Sequence, residues 1–83
     1  MLKNTARLKK DVGLVLRGLR TQKSKQEDIK LTQNDIAESS GISLRYYSKL
    51  ENGLSMPTID VLAKIADSYK MSLSEICKQI EEC

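Results

Sequence analysis

Arg45, Ser48, Lys49 and Asn52 fall at positions i, i+3, i+4 and i+7, which on a helix make one continuous stripe. Arg and Lys at that spacing suit acceptors arranged along a groove, such as guanine O6 and N7, and Ser serves a purine or a pyrimidine. Tyr47 and Leu50, three apart, take the opposite side and point to a core, continuing towards Leu54. Tyr47 is expected to bury its ring and bring its hydroxyl to the surface. Little other chemistry is on offer. The chain has no His, so it lacks the commonest general base and the commonest metal ligand. Cys77 and Cys83 are six apart, a rotation of about 240° along a helix, so neither a disulfide nor a zinc site between them is expected. Cys77 reads as a small core residue and Cys83 as an exposed thiol. No catalytic residue, metal ligand or cofactor is expected, and the chain reads as a binding protein, not an enzyme.

Charge suggests what such a stripe would meet. Residues 1–30 hold nine basic residues (Lys3, Arg7, Lys9, Lys10, Arg17, Arg20, Lys23, Lys25, Lys30) against three acidic ones, a net of +6. Residues 31–83 hold five against eight, a net of −3. A basic segment on a small chain points to a polyanion, although a solvated helix face has the same composition.

The elements that must position the stripe are helical. Eighty-three residues with four Gly and one Pro lack the punctuation of a sandwich or barrel, and with no Trp or Phe the core must be aliphatic. One small domain is expected, without room for a separate sensor or catalytic domain. No apolar run approaches the ~20 residues of a membrane span. The basic start is followed by no signal-peptide pattern, so the default location is cytoplasmic.

From Thr5 to about Ser24, Leu8, Val12, Val15, Leu16 and Leu19 recur as one helical face. Gly13 and Gly18 interrupt it at up to ~1 kcal/mol each relative to Ala. Residues 24–30 are polar and aperiodic and read as a loop. Thr32 and Asp35 form a capping box for a short helix that ends before Gly41, where a left-handed turn favours glycine. Ser43 caps a second short helix to Glu51, stopped by Asn52-Gly53 and Pro57. Thr58 caps a fourth, with Ile59, Leu62, Ala63, Ile65, Ala66 and Tyr69 inward. Ser72 and Glu75 open a last one with Leu73, Ile76, Cys77 and Ile80 inward. The result is five helices around one core, with no internal repeat.

Two helices of about eight residues joined by a turn at Gly41 match a helix-turn-helix, with motif helices at about 32–39 and 43–51. In that arrangement the first helix crosses the DNA backbone with its N-terminus at a phosphate, and the second enters the major groove.

The stretch LTQNDIAESSGISLRYYSKLENGLSMPTIDVLAKIADSYKMSLSEI, with VGLVLRGLR upstream, resembles the Cro/C1-type (Xre-like) helix-turn-helix family. Leu31, Thr32, Gln33, Ile36, Ala37, Gly41, Ile42, Ser43, Tyr46, Ser48, Lys49, Glu51, Gly53, Pro57, Leu62, Ile65, Ala66 and Ser72 fall on its typical positions, and the similarity covers about residues 12–77. It implies an all-α, compact five-helix lambda-repressor-like DNA-binding domain over 1–83. It implies base reading by Ser43, Leu44, Arg45, Ser48 and Lys49, with Leu44 either on a thymine methyl or simply packed. It places phosphates at Thr32, Gln33, Tyr46 and Asn52, and an ion pair between Arg20 and Glu51.

The segment 24–30 is longer than the family's usual link, and Tyr47 stands where a smaller aliphatic is usual. The extra residues are either slack or a phosphate clamp by Lys23, Lys25 and Lys30. Residues 31–57 carry only Arg45 and Lys49 against Asp35, Glu38 and Glu51. Affinity must therefore come from oriented amides and the basic N-terminal third, with Arg17, Lys23, Lys25 or Lys30 at the DNA rim. The resulting expectation is a sequence-specific transcriptional regulator, of repressor type, that binds a pseudo-palindromic double-stranded DNA site as a homodimer. The last helix, through Leu73, Ile76 and Ile80, is the expected dimer surface. The alternative is an antitoxin-like or assembly protein-interaction module that retains the fold.

Overall fold

Each of five helices begins where a short polar side chain can close its first turn. The computed structural model describes residues 4–83, and Lys3 of the basic segment lies outside them. The helices are α1 (Thr5–Glu27), α2 (Gln33–Ser40), α3 (Leu44–Glu51), α4 (Ile59–Ser68) and α5 (Leu73–Glu82). Asn4, Thr32, Ser43, Thr58 and Ser72 each accept a backbone N–H from the third residue of the helix they open. Such a cap contributes about 0.5–2 kcal/mol relative to Ala. At α2 and α5 the bond is reciprocal: Thr32 N–H donates to Asp35 at 2.8 Å and Ser72 N–H to Glu75 at 3.2 Å.

The loop expected at 24–30 is largely helix. α1 runs on to Glu27, because Lys, Gln and Glu are good helix formers and Lys23 sits over Glu27 at 3.8 Å. It stops at Asp28, which takes the left-handed conformation (φ 51°) while the Asp28 and Ile29 amides donate to Lys25 and Ser24 carbonyls. Ser24 then reaches forward, its hydroxyl accepting from Leu31 N–H at 3.1 Å. What remains of the link is 28–32.

All five helices feed one core: Val12 and Leu16, Ile36 and Ala37, Tyr47 and Leu50, Leu62, Ile65 and Ala66, Ile76 and Ile80. Closing each large aliphatic away from water contributes about 1.5–3 kcal/mol. α1 packs on α3 and α5, α2 on α3 and α4, and α4 on α5. Two expectations are corrected here. Ile59 is 68% exposed, not inward, because at the first position of α4 it lies a turn short of Leu62. Ile76 and Ile80 are closed into the chain's own core, with Leu73 half-buried beside them. In a core with no Trp or Phe, α5 must give its aliphatics to α1 and α4, so that stripe is no open dimer surface.

One glycine decides how α1 meets α3. Gly13 is buried, and a Cβ there would collide with the Glu51 carbonyl oxygen and stand 3.0 Å from that of Leu50. The missing side chain lets α1 lie directly on the C-terminal carbonyls of α3.

Candidate nucleic-acid interface

The turn between α2 and α3 is made by Gly41 at φ 70°, with Gly41 and Ile42 amides closing onto Glu38 and Ala37 carbonyls. It sets α3 with Tyr47 and Leu50 fully buried. Arg45, Lys49 and Asn52 are then exposed, Ser48 is half-buried, and Leu44 and Ser43 are exposed at the start of the helix. The stripe read from spacing is therefore a real face, with the N-terminus of α2 beside it at Thr32 and Gln33. α3 ends with Gly53 at φ 74° and Leu54 N–H donating to the Lys49 carbonyl at 2.9 Å.

Behind that face lies a buried carboxylate. The Glu51 side chain has no exposure, and Arg20 from α1 grips both its oxygens, Nε on Oε2 at 2.9 Å and Nη2 on Oε1 at 2.8 Å. A fork-to-fork pair of this kind is the strongest ionic geometry available to side chains. Arg20 Nη1 also donates to the Leu31 carbonyl at 3.0 Å, which ties the 28–32 link to the same point. Gln33 Nε2 donates to Oε1 at 3.1 Å. Arg17 spans Glu51 Oε1 at 3.5 Å and Asn52 Oδ1 at 3.4 Å. Three helices thus meet on one side chain.

Burial opposes ionisation of Glu51. The Arg20 hydrogen bonds, backed by the nearby Tyr47 hydroxyl and the Gln33 amide, outweigh it and hold the carboxyl below its usual range. The bond to Glu51 holds the Arg20 guanidinium above its usual value. The formal charge of residues 31–57 is therefore misleading. Glu51 is buried and matched from outside that segment, so the outward side of α3 carries Arg45 and Lys49 and no acid of its own.

The Tyr47 hydroxyl is a further correction. It does not reach the surface but lies buried beside Glu51 and Tyr69, without a well-formed hydrogen bond, as does that of Tyr69. Burial pushes the Tyr47 phenol far up and the Tyr69 phenol to about 12.

The basic residues expected at the rim separate. Arg17 stands at the C-terminal end of α3, 55% exposed. Lys25 and Lys30 are exposed on the last turn of α1 and in the link that leads to Thr32. Lys23 turns elsewhere: its ammonium lies 3.4 Å from the Ser68 carbonyl and 5.6 Å over the Tyr69 ring, at the C-terminal end of α4. Tyr46 is half-buried, its hydroxyl donating to the Met56 carbonyl at 3.5 Å. Cys77 packs half-buried against the core and Cys83 is exposed, and they form no disulfide.

Sequence reasoning missed the Gln33–Glu51 contact. Lys10 runs beneath the turn after α3, since a Cβ on Gly53 would stand 3.3 Å from Lys10 Cα.

A profile of the helix-turn-helix family matches residues 27–76. Over 54 residues the chain is 41% identical to the cryptic phage CTXphi transcriptional repressor RstR of Vibrio cholerae, covering 65% of this chain and 48% of that protein. Over 50 residues it is 38% identical to an uncharacterized HTH-type transcriptional regulator of Mycobacterium tuberculosis, covering 60% of this chain and 36% of the other. The chain thus spans about half, or less, of the length of these curated relatives. Among solved structures it is similar to the clp gene regulator ClgR of Corynebacterium glutamicum (TM-score 0.76, 25% identity, 90% of this chain and 73% of that one). It is also similar to a transcriptional regulator of the same helix-turn-helix family from Vibrio cholerae (TM-score 0.77, 25% identity, 95% and 42%).

Proposed function

The chain belongs to the helix-turn-helix family, in its Cro/C1-type form, and from that premise we propose that it is a sequence-specific double-stranded DNA-binding transcriptional regulator acting in the cytoplasm. The observation that carries this reading is the two-sidedness of α3: Tyr47 and Leu50 are sealed inward while Arg45, Lys49 and Asn52 stand outward with no acid among them. In this reading α3 enters the major groove, where Arg45 and Lys49 meet guanine edges, Ser43 and Ser48 either base type, and Leu44 a thymine methyl. Thr32 and Gln33 at the head of α2 meet a phosphate, joined by Asn52, Tyr46 and Arg17, with Lys25 and Lys30 alongside. Lys23 drops out of this set. A lone α3 reads only a few base pairs, so the functional unit is a homodimer with its two α3 helices about 34 Å apart on a pseudo-palindrome. Repression as the output is supported by the name of the RstR relative.

The test is selection from a randomised duplex pool at two salt concentrations, with wild type beside Arg45→Ala/Lys49→Ala. The expected result is enrichment of a two-fold symmetric site that the double variant no longer selects. Each phosphate-only Lys removed should weaken all sequences alike and lower the salt slope by about one. Salt-sensitive binding without enrichment, unchanged in the double variant, would instead favour a protein-interaction module that keeps the fold.

A further inference from the structure

The last two turns of α1 carry a second stripe, which operator binding leaves unused. Leu19, Gln22, Lys23 and Gln26 fall at i, i+3, i+4 and i+7. They form one wall of an open cleft of about 360 Å³. Tyr69 at the end of α4, Lys70 and Met71 in the turn that follows, and Gln79 of α5 form the other. That volume is in the range of small-molecule sites. None of the residues that line the cleft belongs to α2 or α3. Its lining has the chemistry to receive a polar anion. Gln22, Gln26 and Gln79 each carry a carboxamide that both donates and accepts, and among the described residues none of the three is hydrogen-bonded. Lys23 and Lys70 bring two ammoniums against one carboxylate, Glu27, whose Oε2 lies 3.8 Å from Lys23 Nζ. Lys70 takes the left-handed conformation (φ 57°), uncommon for a residue with a side chain, and the Met71 amide closes that turn on the Ala66 carbonyl at 2.9 Å. Leu19, Met71 and the Tyr69 ring supply the apolar part.

We propose that this cleft is an effector site for a small organic anion, a carboxylate or phosphate on a planar hydrogen-bonding body, and that its occupancy changes how α3 is held. The effect on α3 matters only under the operator-binding reading above, on which this part rests. Coupling runs through Lys23 and Tyr69. The Lys23 ammonium is held by the Ser68 carbonyl at 3.4 Å and lies 5.6 Å over the Tyr69 ring. An anion in the cleft competes for that ammonium and draws it from the ring. The hydroxyl of the same ring is enclosed beside that of Tyr47, which stands about one turn before Glu51 on α3. A ligand shifts an equilibrium only by the difference in its affinity for two states, and the two positions of Lys23 supply that difference.

The experiment uses the whole chain and two sets of probes: N-acetyl amino acids for the carboxylate and nucleoside monophosphates for the phosphate. Each is run beside its neutral counterpart, the amino-acid amide or the nucleoside. Members of one set should shift the side-chain amide NMR signals of Gln22, Gln26 and Gln79 saturably, with Kd of about 1 mM or below, and the neutral counterparts should not. The responding set names the anion. Lys70→Gln/Gln79→Ala alters two exposed side chains, so its thermal midpoint should match wild type while anion binding weakens about tenfold. Lys78→Gln, exposed on α5 outside the cleft, should leave anion binding unchanged. The bound probe should change wild-type affinity for the duplex selected above by about fivefold or more, and that of the double variant not at all. Shifts confined to Gln33 and α3, neutral counterparts that bind equally well, or a double variant that binds like wild type would each overturn the inference. So would silence from both sets, or an occupied cleft that leaves duplex affinity unchanged. Failure of the operator-binding reading looks different: the randomised pool yields no site, and the effector role falls with it although the cleft still binds the anion.

Discussion

The two sides of α3 are built on opposite terms. Inward, the charged group is fully committed: Glu51 accepts from Arg20, Gln33 and Arg17, and Gly13 leaves no space between α1 and the last carbonyls of the helix. Outward, Arg45 and Lys49 are exposed, and among the described residues they form no ion pair. Cost follows from that difference. A change on the inner side should alter the fold before it alters binding, and a change on the outer side should do the reverse.

The sharpest attempt to break this contrast is Glu51→Ala. It strands the Arg20 guanidinium, whose side chain is only 21% exposed, and should cost about 2–4 kcal/mol in urea denaturation. A loss no larger than that of a surface substitution would mean that the inner seam is not over-determined. The same carboxylate sets an acid limit. Its folded-state pKa lies below the ordinary 4.5, so the unfolded chain binds more protons. The stability it contributes is fully present above about pH 4.5 and disappears as pH falls through the lower folded value. A Glu51→Gln variant should lack that part of the acid transition.

Next comes Gly13→Ala, which drives a methyl group into backbone and should destabilise by about 1–3 kcal/mol despite its better helix propensity. On the outer side, Arg45→Ala/Lys49→Ala should leave the denaturation midpoint within about 0.5 kcal/mol of wild type. Loss of Arg45 alone should remove about 1–3 kcal/mol of binding to a cognate duplex, read by titration, and relax specificity at one base pair. The smallest effect is Gly18→Ala. Five residues from Gly13 on the same helix, it would meet nothing within 4 Å and should stabilise by up to about 1 kcal/mol. Opposite signs for two identical substitutions in α1 would locate the seam without any reference to DNA.

How much of this was legible in the sequence varied with the kind of force involved. Local chemistry read well: Thr32, Ser43, Thr58 and Ser72 begin helices because a side-chain oxygen three residues before an amide is a short-range matter. The Tyr47 and Leu50 side of α3 read well too, since the period of a helix fixes it. The end of α1 did not, because residues 24–27 bury no stripe and hold their turn by the Lys23–Glu27 pair and the Ser24 tie to Leu31. Ile59 and Ile76 show the same limit from the other side. Both are aliphatic and both sit on an expected inward line, yet which one is enclosed depends on what lies across from it. Gly13 read as a local cost because its benefit is paid by a carbonyl thirty-eight residues away.

The buried phenols of Tyr47 and Tyr69 also give the molecule an optical reporter. Neither can ionise easily while enclosed: each ordinary value is 10.0, and Tyr69 is pushed up to about 12. A phenol whose folded pKa is raised favours the folded chain below its ordinary value and ceases to do so as alkali climbs towards the folded one. In a chain with no Trp, the part of the near-ultraviolet tyrosinate rise that comes from Tyr47 and Tyr69, beside that of the half-buried Tyr46, would therefore mark the moment the interior opens to base. The molecule thus has an alkaline limit as well as an acid one, and one of the chromophores that would record it, Tyr47, lies about one helical turn from Glu51, the carboxylate that sets the other.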